Sequence, residues 1–274
     1  MATVGTPLAT KATRHGPLWS VLNLSGWIPL LVIAIAWELC ARSGMVTAYM
    51  LPPLSVVLER IGSDAIEGSL GLQVAMTLYR SLLGFAIAAL VGVVLGVGIN
   101  RSRFMRWLFD PLISVGFPMP KIAFLPIVIL WFGFHDLSKL TMIVFDAVFP
   151  VVTATVAATA TVARELLWSA RNLGANEGQV WREVVLPAAF PQIMTGLQVA
   201  LPIALIVCIV TEMKMGGTGL GGAMMETSRF ADSPGVFAGI VEIAVVGYVL
   251  VWIMSILRRK LLGWHPESQA VSNR

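Results

Sequence analysis

Apolar and polar positions along this chain come in blocks. Six apolar runs fall at about 21–41, 78–99, 112–134, 140–160, 193–211 and 236–257. Each is near the roughly 20 residues that a helix needs to cross a bilayer. Continuous runs of this length predict helices, since a membrane-spanning barrel would show shorter segments of alternating character. The expected fold class is an all-α polytopic membrane protein with about six transmembrane helices. Residues 1–20 read as a polar tail, 21–260 as the transmembrane domain and 261–274 as a second polar tail. After the first run, the stretch LPPLSVVLERIG predicts a proline-started short helix lying against the membrane surface.

One polar block is out of place. Residues 164–187, RELLWSARNLGANEGQVWREVVLP, separate two apolar runs with more charge than a connecting turn requires. A segment of this kind is expected where something soluble docks.

Composition agrees with the pattern: 57% of the 274 residues are hydrophobic, 12% are charged, and the mean hydropathy is +0.82. A water-soluble globule is not built this way. With the N-terminus on the cytoplasmic side, 12 of the 19 Lys and Arg residues fall on that side and 7 on the other side or within runs. The positive-inside rule therefore places both termini and the 164–187 block in the cytoplasm. The net charge of +4 follows from this asymmetry, and nucleic-acid binding explains it less well. The N-terminal stretch is polar for too long to read as a removable leader, so the first run is expected to remain as a span.

Several motifs fail on context. Gly217, Gly219 and Gly222 spell a dinucleotide-binding GxGxxG, but no strand precedes them, and a flexible or close-packed outer loop is expected instead. No GxxxxGK[ST] occurs, so any ATP that drives the protein is bound by another chain. Cys40 and Cys208 lie within runs at no paired spacing, and His15, His135 and His265 lie in tails or loops. These imply no disulfide framework, zinc site or haem ligation. No constellation for hydrolytic or redox chemistry is present, which speaks against an enzyme. Gly92 and Gly96 form a GxxxG that permits close helix approach, either within the chain or between copies.

Charges inside the runs carry the remaining chemistry. Glu38 and Arg80 lie toward run ends and are expected to snorkel to the surface. Lys121 and Asp146 lie deeper, as either a structural ion pair or the lining of a wet cavity; Glu242 is a further intramembrane carboxylate. Pro118, Pro120 and Pro126 interrupt the third run and predict kinks, with freed carbonyls facing protein or a cavity.

The polar block has a specific spacing. Ala170, three residues, Gly174, nine residues, then Val184, Val185, Leu186 and Pro187 resemble the EAA loop of ABC importer permeases. Trp168 and Ser169 stand where that loop has its leading Glu and first Ala. The stretches YRSLLGFAIAALVGVVLGV, PMPKIAFLPIVILWFGF and LPAAFPQIMTGL, and Glu212 with its glycine-rich sequel, are similar to permeases of the nitrate, sulfonate and taurine importer group. Two stretches depart from that group: LPAAFP in place of LPGALP, and TEMKMGGTGLGG where an alanine-rich sequel is common.

The resemblance implies a type I ABC importer permease fold in the bacterial inner membrane, with a cytoplasmic coupling helix. It implies a homodimer of this chain and two ATPase subunits that hold ATP and magnesium, with no cofactor in the chain itself. An extracytoplasmic binding protein would deliver a small solute. Ala170, Gly174, Ala175, Leu186 and Pro187 are then the coupling residues, and Lys121, Asp146 and Glu212 the pathway or gate residues. In physical terms the block reads as two short helices meeting at Gly174. Such an elbow, held in a groove of a soluble partner, passes that partner's motion to the next span. A stand-alone ion-coupled transporter would need no elbow of this kind.

Overall fold

The computed structural model describes residues 28–66 and 69–263, and among these the chain is helical with no strand. The tail at 1–20, the start of the first run at 21–27, and the stretch from 264 onward lie outside the described residues. Two compact units divide between Leu58 and Glu59.

In the first unit, α1 (Ile28–Arg42) carries Glu38 near its end. That carboxylate pairs with Arg42 at 2.6 Å and accepts from the Ser55 backbone N–H and hydroxyl at 3.2 and 2.9 Å. The Trp37 indole donates to the Pro52 carbonyl at 3.0 Å. Together these contacts fix the Leu-Pro-Pro turn that starts α2 (Leu54–Ile66), the short helix expected from that sequence.

The second unit is built around three long helices: α3 (Ser69–Arg101), α6 (Asp136–Ala160) and α8 (Glu177–Met215). Their shared core holds Ala88, Met142, Ile143, Ala147, Val151, Ala200, Ala204 and Cys208. Small residues set the spacing. A Cβ on Gly84, Gly92 or Gly96 of α3 would stand 2.5 to 2.7 Å from Ile143, Val151 or Thr155 of α6. These are every-fourth positions on both helices, so one ridge of glycines lies against one ridge of branched side chains. The Gly92–Gly96 pair is therefore occupied within the chain.

The third apolar run departs from expectation. It is not one helix but α4 (Arg103–Gly116), a 3-10 turn at Lys121–Phe124 and α5 (Leu125–Phe132), bent by 96°. The proline chemistry explains the break. Pro118 and Pro120 sit in the connecting turn and Pro126 in the first turn of α5, where its missing N–H has no intrahelical role. Among the described residues, four helices are long and apolar enough to cross a bilayer, or up to five if the bent pair counts as one span.

The polar block forms α7 (Arg164–Asn172), a short turn, and the start of α8. Here too the structure differs in one respect. The second short helix does not stop near Val185; a π-helical turn at Val180–Val185 carries it into the long helix. Two further helices follow, α9 (Leu220–Arg229) and α10 (Ser233–Leu261).

Candidate functional site

Two regions at opposite ends of α6 and α8 carry chemistry, with a third midway. At one end is the elbow. Gly174 has φ +87°, the left-handed region that favours glycine. The Gly174 N–H donates to the Arg171 carbonyl at 3.0 Å and the Ala175 N–H to the Ala170 carbonyl at 3.1 Å. This is a Schellman cap, which satisfies carbonyls that the end of α7 would otherwise leave bare. Ala170, Gly174 and Ala175 are thus brought together in one turn. Immediately after it, Asn176 and Gln179 form a reciprocal capping box at 2.9 Å each way. Arg171 clamps Glu177 across the turn at 3.0 and 3.3 Å. The turn is rigid and protrudes: Leu173 is 86% exposed and Trp168 59%. Leu186 and Pro187 lie beyond the π turn, where α8 continues.

At the far end, Glu212 of α8 is fully buried and accepts from Arg80 at 2.7 Å and from the Thr77 hydroxyl at 2.8 Å. The Gly221 N–H reaches the same carboxylate at 3.2 Å, and the Leu220 N–H donates to Thr77 at 2.9 Å. Arg80 also pairs with Asp136 at 2.9 Å and donates to the Thr218 carbonyl. Lys139 donates to the Gly216 carbonyl at 3.2 Å. The cluster balances two cations with two carboxylates and fastens the 216–222 loop onto α3, α6 and α8.

Arg80 does not snorkel; it is 2% exposed. Its planar fork meets two carboxylates and a carbonyl at once, which a side chain extended toward water would forgo. The glycine-rich loop is close-packed. Gly219, at φ +133°, lies against the Glu212 carboxylate, and a Cβ there would run into it. The middle glycine of the dinucleotide-like pattern is therefore required because its backbone approaches a buried carboxylate.

Midway, Lys121 and Asp146 meet at 3.2 Å, with Lys121 7% and Asp146 25% exposed. The ammonium also donates to the Phe117 carbonyl at 2.9 Å and lies 4.6 Å from the Phe149 ring centre. It caps the end of α4 and ties the break to α6. Glu212 is not part of this pair. Glu242 faces a cavity of about 320 Å3 that Arg60, Asp64 and Asp232 also line. Sequence reasoning missed Thr77, Asp136 and Lys139, and misread Arg80. The one usable signal was an arginine inside an apolar run, which is costly without partners.

This arrangement of helices is also found in solved ABC transporters. The fold matches a structure of the MetNI methionine ABC transporter, inward facing, with a TM-score of 0.54 at 14% identity over 70% of this chain and 98% of that one. It also matches an amino acid ABC transporter crystallised with histidines, at 0.59 and 18% over 73% and 95%.

Residues 84–263 match the binding-protein-dependent transport system inner membrane component family, and the chain belongs to that family. It is 34% identical to a putative aliphatic sulfonates transport permease protein, SsuC, of Bacillus subtilis over 87% of this chain and 88% of that protein. To the taurine transport system permease protein TauC of Escherichia coli K12 it is 31% identical over 88% and 89%. The nitrate import permease protein NrtB of Synechocystis is 27% identical over 81% and 83%. The chain is therefore a multi-pass inner-membrane permease component of an ABC importer, a transport subunit and not an enzyme.

Proposed function

We infer that this permease carries a small anion of the nitrate, sulfonate or taurine kind, as a homodimer with six spans per copy and both termini cytoplasmic. Each copy seats one ATPase subunit on its elbow, and an extracytoplasmic binding protein delivers the solute. The observation that carries this reading is the construction of the elbow. An exposed apolar knob at Leu173 stands on a rigid glycine turn, and the helix leaving that turn continues unbroken to Met215. Closure of the ATPase pair would draw the two knobs together and tilt the spans that follow. Ala170, Gly174 and Ala175 shape the knob, while Leu186 and Pro187 begin the stretch that transmits its motion. Lys121 and Asp146 are assigned to the pathway, and Glu212 to the closure of its far end.

The test is a bulky replacement at Gly174 in the reconstituted complex. Loss of both solute uptake and binding-protein-stimulated ATP hydrolysis is expected. Persistence of both overturns the coupling role, and gradient-driven uptake by the chain alone in liposomes overturns the ATPase partnership.

A further inference from the structure

At the end of α8 away from the elbow lies a cavity of about 500 Å3. Gln73 of α3, Gly217 and Thr218 of the loop after α8, and Glu226 and Arg229 of α9 line it. Its size is that of a small-molecule site. Two of its walls are held rigidly by the fold. The Gly219 N–H donates to the Gln73 side chain, and the Arg80 guanidinium donates to the Thr218 carbonyl and, at 3.3 Å, to its hydroxyl. The loop backbone is therefore fixed to α3 through the buried cluster around Glu212.

The charged groups of the cavity are not used by the fold. Glu226 and Arg229 stand three positions apart on α9, a spacing at which opposite charges on a helix can meet. Here they do not: among the described residues neither side chain makes an ion pair or hydrogen bond, and both are exposed. The backbone N–H groups of Gly217 and Thr218 also donate to no protein group among the described residues. The surrounding charge is lopsided. Beside the loop, the Lys139 ammonium lies 3.8 Å from where a Cβ on Gly217 would stand. On the opposite side, Glu226 also borders the 320 Å3 cavity, where Asp64, Asp232 and Glu242 outnumber Arg60.

One end of the cavity is thus positive and rich in donors, and the other is negative. A plain anion is drawn to the first and repelled by the second, and a plain cation the reverse. A molecule that carries both charges satisfies both ends, and the field of the site aligns it. We propose that this cavity binds a small zwitterion, an oxyacid head joined to an ammonium by a short linker. The head lies against Arg229 and the N–H groups of Gly217 and Thr218, and the ammonium pairs with Glu226. The proposal rests on the importer reading above and narrows its solute from small anions in general to those that also carry an amine.

Equilibrium dialysis tests it on the purified full chain, together with any ATPase that accompanies it and without binding protein, whose own selectivity then plays no part. The probe is labelled 2-aminoethanesulfonate. Saturable binding is expected, with ethanesulfonate and ethylammonium each competing at least about tenfold more weakly, since each lacks one charge-assisted contact. Glu226→Gln is expected to weaken 2-aminoethanesulfonate at least about tenfold while leaving ethanesulfonate unchanged, and Arg229→Gln to weaken both. Absence of saturable binding overturns the proposal, as does equal competition by ethanesulfonate, which would make the cavity a plain anion site. Parental affinity for 2-aminoethanesulfonate in Glu226→Gln also overturns it. So does loss of binding-protein docking in both variants with no probe bound by the parent, which would make the pair a docking contact. If Arg229→Gln fails to assemble, Glu226→Gln decides alone. Co-purification of an ATPase with the parent chain judges the importer reading separately, whatever the dialysis shows.

Discussion

Arg80 and Glu212 are 132 positions apart in the chain and meet at 2.7 Å with both side chains buried. The pair joins α3 to α8 at the end away from the elbow. Through Thr77, Thr218 and Gly221 it also holds the loop that follows α8. Removing one partner strands a charge that the low-dielectric interior cannot solvate. Arg80→Met is therefore expected to cost about 3–5 kcal/mol, whereas the double variant Arg80→Met/Glu212→Met recovers a substantial part of it. Thermal unfolding of the detergent-purified protein reads both. A single variant as stable as the parent would show that the pair contributes nothing.

Two glycines at positive φ separate strain from collision. Gly174 has open space where a Cβ would go, so Gly174→Ala carries only the left-handed backbone penalty of about 1–2 kcal/mol. Gly219 faces the Glu212 carboxylate, so Gly219→Ala adds a clash with a buried charge and is expected to destabilise by about 3 kcal/mol or more. Comparable melting temperatures for the two variants would contradict this geometry.

Much of the elbow was legible in the sequence because its determinants are local. A Schellman cap ties residues three and five apart, so the spacing of Ala170, Gly174 and Ala175 is itself the structure of the turn. The Arg80 cluster was not legible, since nothing near Arg80 in sequence records that α8 will bring Glu212 to it. Likewise three prolines marked trouble in the third run, yet whether they kink a helix or end it depends on what receives the freed carbonyls. Here the Lys121 ammonium donates to the Phe117 carbonyl.

The midway pair allows its own comparison. Lys121 caps a helix end, pairs with Asp146 and lies beside Phe149. Lys121→Met should abolish uptake while leaving ATPase association intact, because the solute anion loses the cation assigned to its pathway. Asp146→Asn keeps the cation but removes its partner, and uptake is expected to fall less than in Lys121→Met. Uptake by Lys121→Met at the parental rate would remove Lys121 from the pathway.

At the elbow, Leu173 contributes nothing to the fold of this chain, being 86% exposed. Leu173→Ser should leave the unfolding free energy within about 0.5 kcal/mol of the parent, read by thermal unfolding. It should also weaken ATPase co-purification, since an exposed apolar anchor earns its place only in a partner's pocket. Undiminished co-purification would move the docking contact elsewhere.

The sequence by itself determined the membrane class, the position and local shape of the elbow, and the small-residue face of α3. These follow from run length, local turn chemistry and every-fourth spacing, all of which act over a few residues or are imposed uniformly by the bilayer. Only the tertiary structure decided which charges pair, that Gly92 and Gly96 pack within the chain, and that Gly219 is dictated by a carboxylate. Those outcomes depend on the relative placement of helices far apart in sequence, and the packing of α3, α6 and α8 around one core sets that placement.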